Sequence, residues 1–115
     1  MLLLIGFPED EVERVREMYA DTIPVSAEME DKVLENIIRE RKHPENYQVL
    51  GSQRIVIMHD IPKEELSKII NNIRKKINAH IIFATSTPTS LKWKIGNLME
   101  ELLEEDRYFR EKRAK

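Results

Sequence analysis

Arg54-Ile55-Val56-Ile57-Met58-His59, then Leu66, Ile69, Ile70, Ile73 and Ile77, then His80-Ile81-Ile82-Phe83-Ala84-Thr85: this stretch decides the fold. The two flanking runs are short, β-branched and continuously apolar, which is the pattern of strands buried on both faces. The residues between them recur at helical spacing and form the clearest helical stripe in the chain. Strand, helix and strand in that order make a βαβ unit, whose crossover is right-handed.

The same grammar extends in both directions. Leu2–Gly6 reads as a first strand, followed by Phe7-Pro8 and a helix carrying Glu9, Asp10, Glu11 and Glu13 in its opening turns. Pro is accepted where a helix starts, and acids suit the positive end of the helix dipole. Ile23–Ala27 is a weaker second strand and Glu28–Lys42 a second helix, stopped by His43-Pro44. Residues 43–53 form the longest connection, in which Tyr47, Val49 and Leu50 predict a short extended piece. After the fourth strand, Ser86–Ser90 is a hydroxyl-rich turn. A last helix is predicted from Thr89 or Ser90, and it gives residues 90–115 a helix-rich tail. The expected fold is α/β: one three-layer domain over residues 1–115, with about four mainly parallel strands in order 2-1-3-4 alternating with four helices. A faint repeat runs through it. Offset by 54 residues, Leu2–Val15 aligns with Val56–Ile69, and Pro8 falls on Pro62.

Composition bounds the chemistry. A chain of 115 residues fits one domain with its own core. With no Cys, thiol catalysis, disulfide scaffolds and Cys-ligated metals are excluded, and three His leave little for a metal site. No cofactor is expected. The longest apolar run, Met1–Phe7, is far short of the ~20 residues of a membrane span and lacks the features of a signal peptide, so a cytoplasmic setting is expected. The high Lys, Glu, Arg and Ile content also resembles thermophile composition.

The net charge of −2 conceals a division. Residues 1–50 hold six Lys/Arg against twelve Asp/Glu, and residues 51–115 hold thirteen against nine. No acid lies between Glu65 and Glu100. An acidic cluster, Glu100 to Asp106, follows, and then Arg107, Arg110, Lys112, Arg113 and Lys115. The bland reading is solvated helix faces with local ion pairs.

In an open parallel sheet, ligands bind beyond the carboxyl ends of the strands. The four loops expected there offer Gly6-Phe7-Pro8, Ser26, His59-Asp60 and Thr85–Ser90. The last places hydroxyls at a helix start, where N–H groups are unsatisfied and anions are favoured. Thr85, Ser86, Thr87, Ser90 and Lys92 are therefore the candidate ligand or anion site. The competing reading is an ordinary Ser/Thr helix cap. No P-loop or dinucleotide fingerprint is present. Lys68, Arg74, Lys75 and Lys76, with Trp93 between Lys92 and Lys94, form a second candidate set, for RNA or single-stranded DNA. His59 beside Asp60 is a third, as an acid–base pair, although neighbours on a strand point to opposite faces. Asp60 and Thr85 lack the other acids and the late Lys of a receiver domain.

Ile81-Ile82-Phe83-Ala84-Thr85, Thr87, Leu91, Trp93, Lys94, Leu98 and the run Glu101 to Phe109 are similar to a family of small bacterial and archaeal proteins known as a domain of unknown function. The resemblance covers residues 54–110 well and the first half loosely. It implies a compact α/β domain and assigns no reaction, cofactor or catalytic residue. The leading expectation is a non-enzymatic regulatory or interaction module. It would bind a small anionic ligand or a protein partner at the carboxyl edge of the sheet, with the terminal helix supporting a homodimer. Nucleic-acid contact is the alternative, and an enzyme using His59 and Asp60 the second alternative.

Overall fold

Four apolar runs become strands because both of their faces are covered. The computed structural model describes residues 1–113. Its strands are β1 (Leu2–Ile5), β2 (Thr22–Val25), β3 (Arg54–Met58) and β4 (Ile81–Thr85). Its helices are α1 (Glu9–Met18), α2 (Leu34–Glu40), α3 (Lys63–Lys76) and α4 (Ile95–Arg113), with 3-10 turns at Ala27–Met29 and Ser90–Lys92. Lys115, the last of the predicted basic tail, lies outside the described residues.

The sheet has the expected order β2-β1-β3-β4. The outer pairs are parallel and the central pair, β1 with β3, is antiparallel. Alternate side chains go to opposite layers. Leu3, Ile5, Ile55 and Ile57 pack under α2 and α4, whereas Leu2, Leu4, Val56 and Met58 pack with α1 and α3. The domain is therefore α/β/α.

The antiparallel centre corrects one expectation. The four strand ends do not gather at one edge. The carboxyl ends of β1 and β2 lie at one end of the sheet and those of β3 and β4 at the other. The first end is covered by residues 47–53. Val49 bridges Ser26, and the Gln48 N–H donates to the Ser26 hydroxyl at 2.9 Å. Leu50 enters the core, and the Tyr47 hydroxyl donates to the Phe7 carbonyl. Among the described residues, the end formed by β3 and β4 has no such cover from a following connection.

The 54-residue repeat has a structural counterpart. Exchanging the halves at that offset maps the pair Leu2–Met58 onto Val56–Leu4 and leaves Leu3–Ile57 in place. Gly6 and its counterpart Asp60 both have positive φ, 79° and 54°. Pro8 and Pro62 both stand immediately before a helix. Each half runs strand, helix, strand, 3-10 turn, helix.

The halves also meet at a second point, which moves two predicted helix starts. Val33 bridges Lys94 in antiparallel fashion. The Leu34 N–H donates to the Trp93 carbonyl and the Ile95 N–H to the Lys32 carbonyl, each at 2.9 Å. These bonds hold residues 33 and 94 extended. The predicted helix Glu28–Lys42 thus shortens to α2 after a 3-10 turn, and α4 begins at Ile95 instead of Thr89 or Ser90. Arg54 adds a tie at the start of β3, with a two-pronged bond to Glu11 on α1 at 2.6 and 2.9 Å. That bond to the carboxylate raises the Arg54 pKa.

Gly6 is required twice over, by its φ and because a Cβ there would lie 2.0 Å from the Gln53 carbonyl oxygen. Gly6→Ala is expected to cost at least ~2 kcal/mol in urea unfolding, whereas Asp60→Gly at the equivalent turn should cost nothing or stabilise slightly. Tyr47 gives a pH test. Burial pushes its phenol above the ordinary 10.0, so the neutral form favours folding. That contribution is complete below pH 10 and is lost as pH rises through the folded-state value. Tyr47→Phe should cost about 1 kcal/mol near pH 8 and remove this alkaline loss, read by unfolding between about pH 8 and about pH 11.

Candidate functional site

At the carboxyl end of β4 the chain turns through Ser86–Thr89 into a short 3-10 turn. The turn satisfies itself. The Thr87 N–H donates to the Ser90 hydroxyl at 2.8 Å, and the Ser90 N–H to the Thr87 hydroxyl at 3.0 Å. This reciprocal box consumes two of the donors an anion would need. Ser86 is engaged elsewhere: its hydroxyl lies 2.8 Å from Nδ1 of His59. Lys92 points away to Glu35, with Nζ 2.9 Å from the carboxylate. The start of α4 is closed as well, since the Ile95 and Gly96 N–H groups donate to the Lys32 and Glu30 carbonyls.

What the turn does form is one wall of a cavity of about 290 Å³. Thr85, Thr87 and Ser90 line one side, Trp93 lines it too, and Glu101 and Glu105 bring two carboxylates. Ile57, Leu98 and Leu102 supply apolar lining. Of the five residues expected to hold an anion, three reach the cavity and Ser86 and Lys92 do not. Glu101 and Glu105 read in the sequence as part of a solvated face. Both are exposed, as that reading expects, and what marks them is spacing, since each stands one helical turn from the buried Leu98 or the half-buried Leu102. Among the described residues neither is in an ion pair. The rim is therefore negative, which is unfavourable for an anion and favourable for a cation.

The basic set divides. Lys68, Arg74, Lys75 and Lys76 lie on α3, which covers one face of the sheet. Lys92, Trp93 and Lys94 lie by the second 3-10 turn, on the other face. Arg74 is stacked over the Phe83 ring at 5.3 Å. These residues do not make one continuous surface. The pair His59 and Asp60 also separates: Asp60 sits in the positive-φ turn, and the partner of the His59 ring is Ser86. Asp60 is not the helix cap, since Pro62 holds that position. His80 bonds Asp106 at 3.0 Å and so ties β4 to α4. Among the described residues no group of acids and His is placed to hold a metal ion, and no helix is long and apolar enough to cross a membrane.

Residues 54–109 match a family described as a domain of unknown function (DUF3783). The second half of this chain resembles that uncharacterised family. The matched segment runs from the start of β3 into α4, which is one structural half of the molecule. No curated protein and no solved structure matches the chain.

The self-capping of the turn is open to measurement. Ser90→Ala and Thr87→Ala should each cost about 1 kcal/mol of stability in denaturant unfolding, and the double variant clearly less than their sum, because the two hydroxyls serve one box.

Proposed function

We propose that this protein is a non-enzymatic interaction module that binds a protein partner at the carboxyl end of β4, with a cationic side chain of the partner in the cavity. The observation that carries this reading is Trp93, Glu101 and Glu105 on one cavity of about 290 Å³. An aromatic face and two carboxylates attract an ammonium or guanidinium, and the apolar floor takes its aliphatic stem. The donors of the Thr87–Ser90 turn are already used, so a small anion finds little to bind there. Nucleic acid is the weaker alternative, because Lys68, Arg74, Lys75 and Lys76 lie on α3 while Lys92, Trp93 and Lys94 lie on the opposite face of the sheet. The charge-rich composition without Cys fits a prokaryotic cytoplasmic setting.

The test uses Trp93, the single Trp of the chain. Its fluorescence should change saturably with the peptide Gly-Lys-Gly and not with inorganic phosphate. Replacing Glu101 and Glu105 together by Gln should weaken the peptide response by about tenfold. A saturable response to phosphate, with none to the lysine peptide, would overturn this reading in favour of an anion site.

A further inference from the structure

The two edges of the sheet are built differently. Alternation in a β ladder points the backbone groups of every second residue outward on an edge strand. On β2, the Leu2 N–H donates to the Asp21 carbonyl at 2.9 Å, which sets Ile23 inward and leaves Thr22 and Pro24 facing out. Pro24 has no N–H to offer, and the whole of β2 is buried. This edge is closed. On β4, the Ser86 N–H donates to the Met58 carbonyl at 3.1 Å, which sets Ala84 and Ile82 inward. Ile81, Phe83 and Thr85 then present their N–H and C=O groups outward. The counterpart of Pro24 is Thr85, since Leu4 faces Pro24 and Met58 faces Thr85. β4 has neither Pro nor a charged side chain, and Phe83 and Ala84 are only half-buried while Thr85 is exposed.

A groove runs along this edge between two unlike banks. The α3 bank presents Leu66 and Ile70, with Arg74 over Phe83. The α4 bank presents Leu102, Glu105 and the exposed Phe109. Glu101 and Glu104 extend the acidic surface beside Tyr108. The geometry points to β4 as a docking edge for an extended segment of a partner protein, added as a fifth strand. Its alternate side chains would be basic toward α4 and apolar toward α3. The occupant follows from charge. Side chains of an added strand alternate between the two banks, so cations on one face meet Glu101, Glu104 and Glu105, while the other face must avoid Arg74. This inference rests on the partner reading of the cavity, which adjoins the groove at Thr85, Leu102 and Glu105.

The probe is a blocked heptapeptide of alternating valine and lysine, titrated into the full chain and followed by Trp93 fluorescence and amide hydrogen exchange. Binding should be at least about tenfold tighter than that of Gly-Lys-Gly and should protect the Phe83 and Thr85 amides. Thr85→Pro, which copies Pro24 of the other half, should weaken it by about tenfold, and so should Glu101→Lys with Glu105→Lys. A peptide N-methylated at alternate residues, which alters no residue of the protein, should bind no tighter than Gly-Lys-Gly. The proposal is overturned by any of three results: equal binding of the N-methylated peptide, equal binding of the valine–glutamate analogue, or a dimer in sedimentation that protects Phe83 and Thr85 without peptide. If Gly-Lys-Gly still shifts Trp93 while the heptapeptide protects no amide, strand addition fails and the cavity reading stands. Silence toward both peptides ends both.

Discussion

The antiparallel seam between β1 and β3 is the constraint on which the rest of the molecule depends. It joins two βα units through buried residues, Leu2–Ile5 against Ile55–Met58. Neither unit can cover its sheet surface alone, because a two-stranded parallel pair leaves one central edge unpaired. Pairing the units back to back satisfies those edges and fills both layers. The direction of the pairing also sends the two carboxyl ends to opposite ends of the sheet. One of them receives the connection 43–53 and becomes structural. The other keeps an aromatic, acidic and hydroxyl-lined hollow.

Electrostatics at that hollow depends on which donors are already spent. The turn looked suited to anions because a helix start was expected behind it. Instead, the carbonyls of Glu30 and Lys32 take the first N–H groups of α4, and Lys92 is neutralised by Glu35. The remaining fixed charges on the rim are carboxylates. The sign of the site therefore follows from α4, whose placement depends on the bridge between Val33 and Lys94.

Much of the fold was legible. Strand positions and an α/β sheet with helices on both faces follow from the apolar runs and the helical stripes, and the expected order matches the observed one; which helices share a layer does not follow from the sequence. Strand direction did not, because strands buried on both faces lack the alternation that would betray their pairing. The helix starts at Leu34 and Ile95 were hidden for a related reason: backbone bonds between residues far apart in the chain override local spacing. The site was legible in part. Thr85, Thr87, Ser90 and Trp93 stand out as residue types, but the partners that spend Ser86 and Lys92 are distant in sequence. Glu101 and Glu105 belong to a run of acids that resembles any solvated helix; both are exposed, and only the cavity's geometry places them on its rim.

The unequal edges bear on assembly as well as on recognition. A sheet with two open edges can pass the same contact from one copy to the next, and such head-to-tail contacts do not close but grow into filaments. Here the β4 edge would need a β2 edge to receive it, and Pro24 denies it the necessary donor. Under the strand-addition proposal, the molecule accepts a strand without being able to hand one on. Head-to-tail growth of β4 onto β2 is therefore blocked at Pro24, which removes one route by which an exposed edge seeds a fibre.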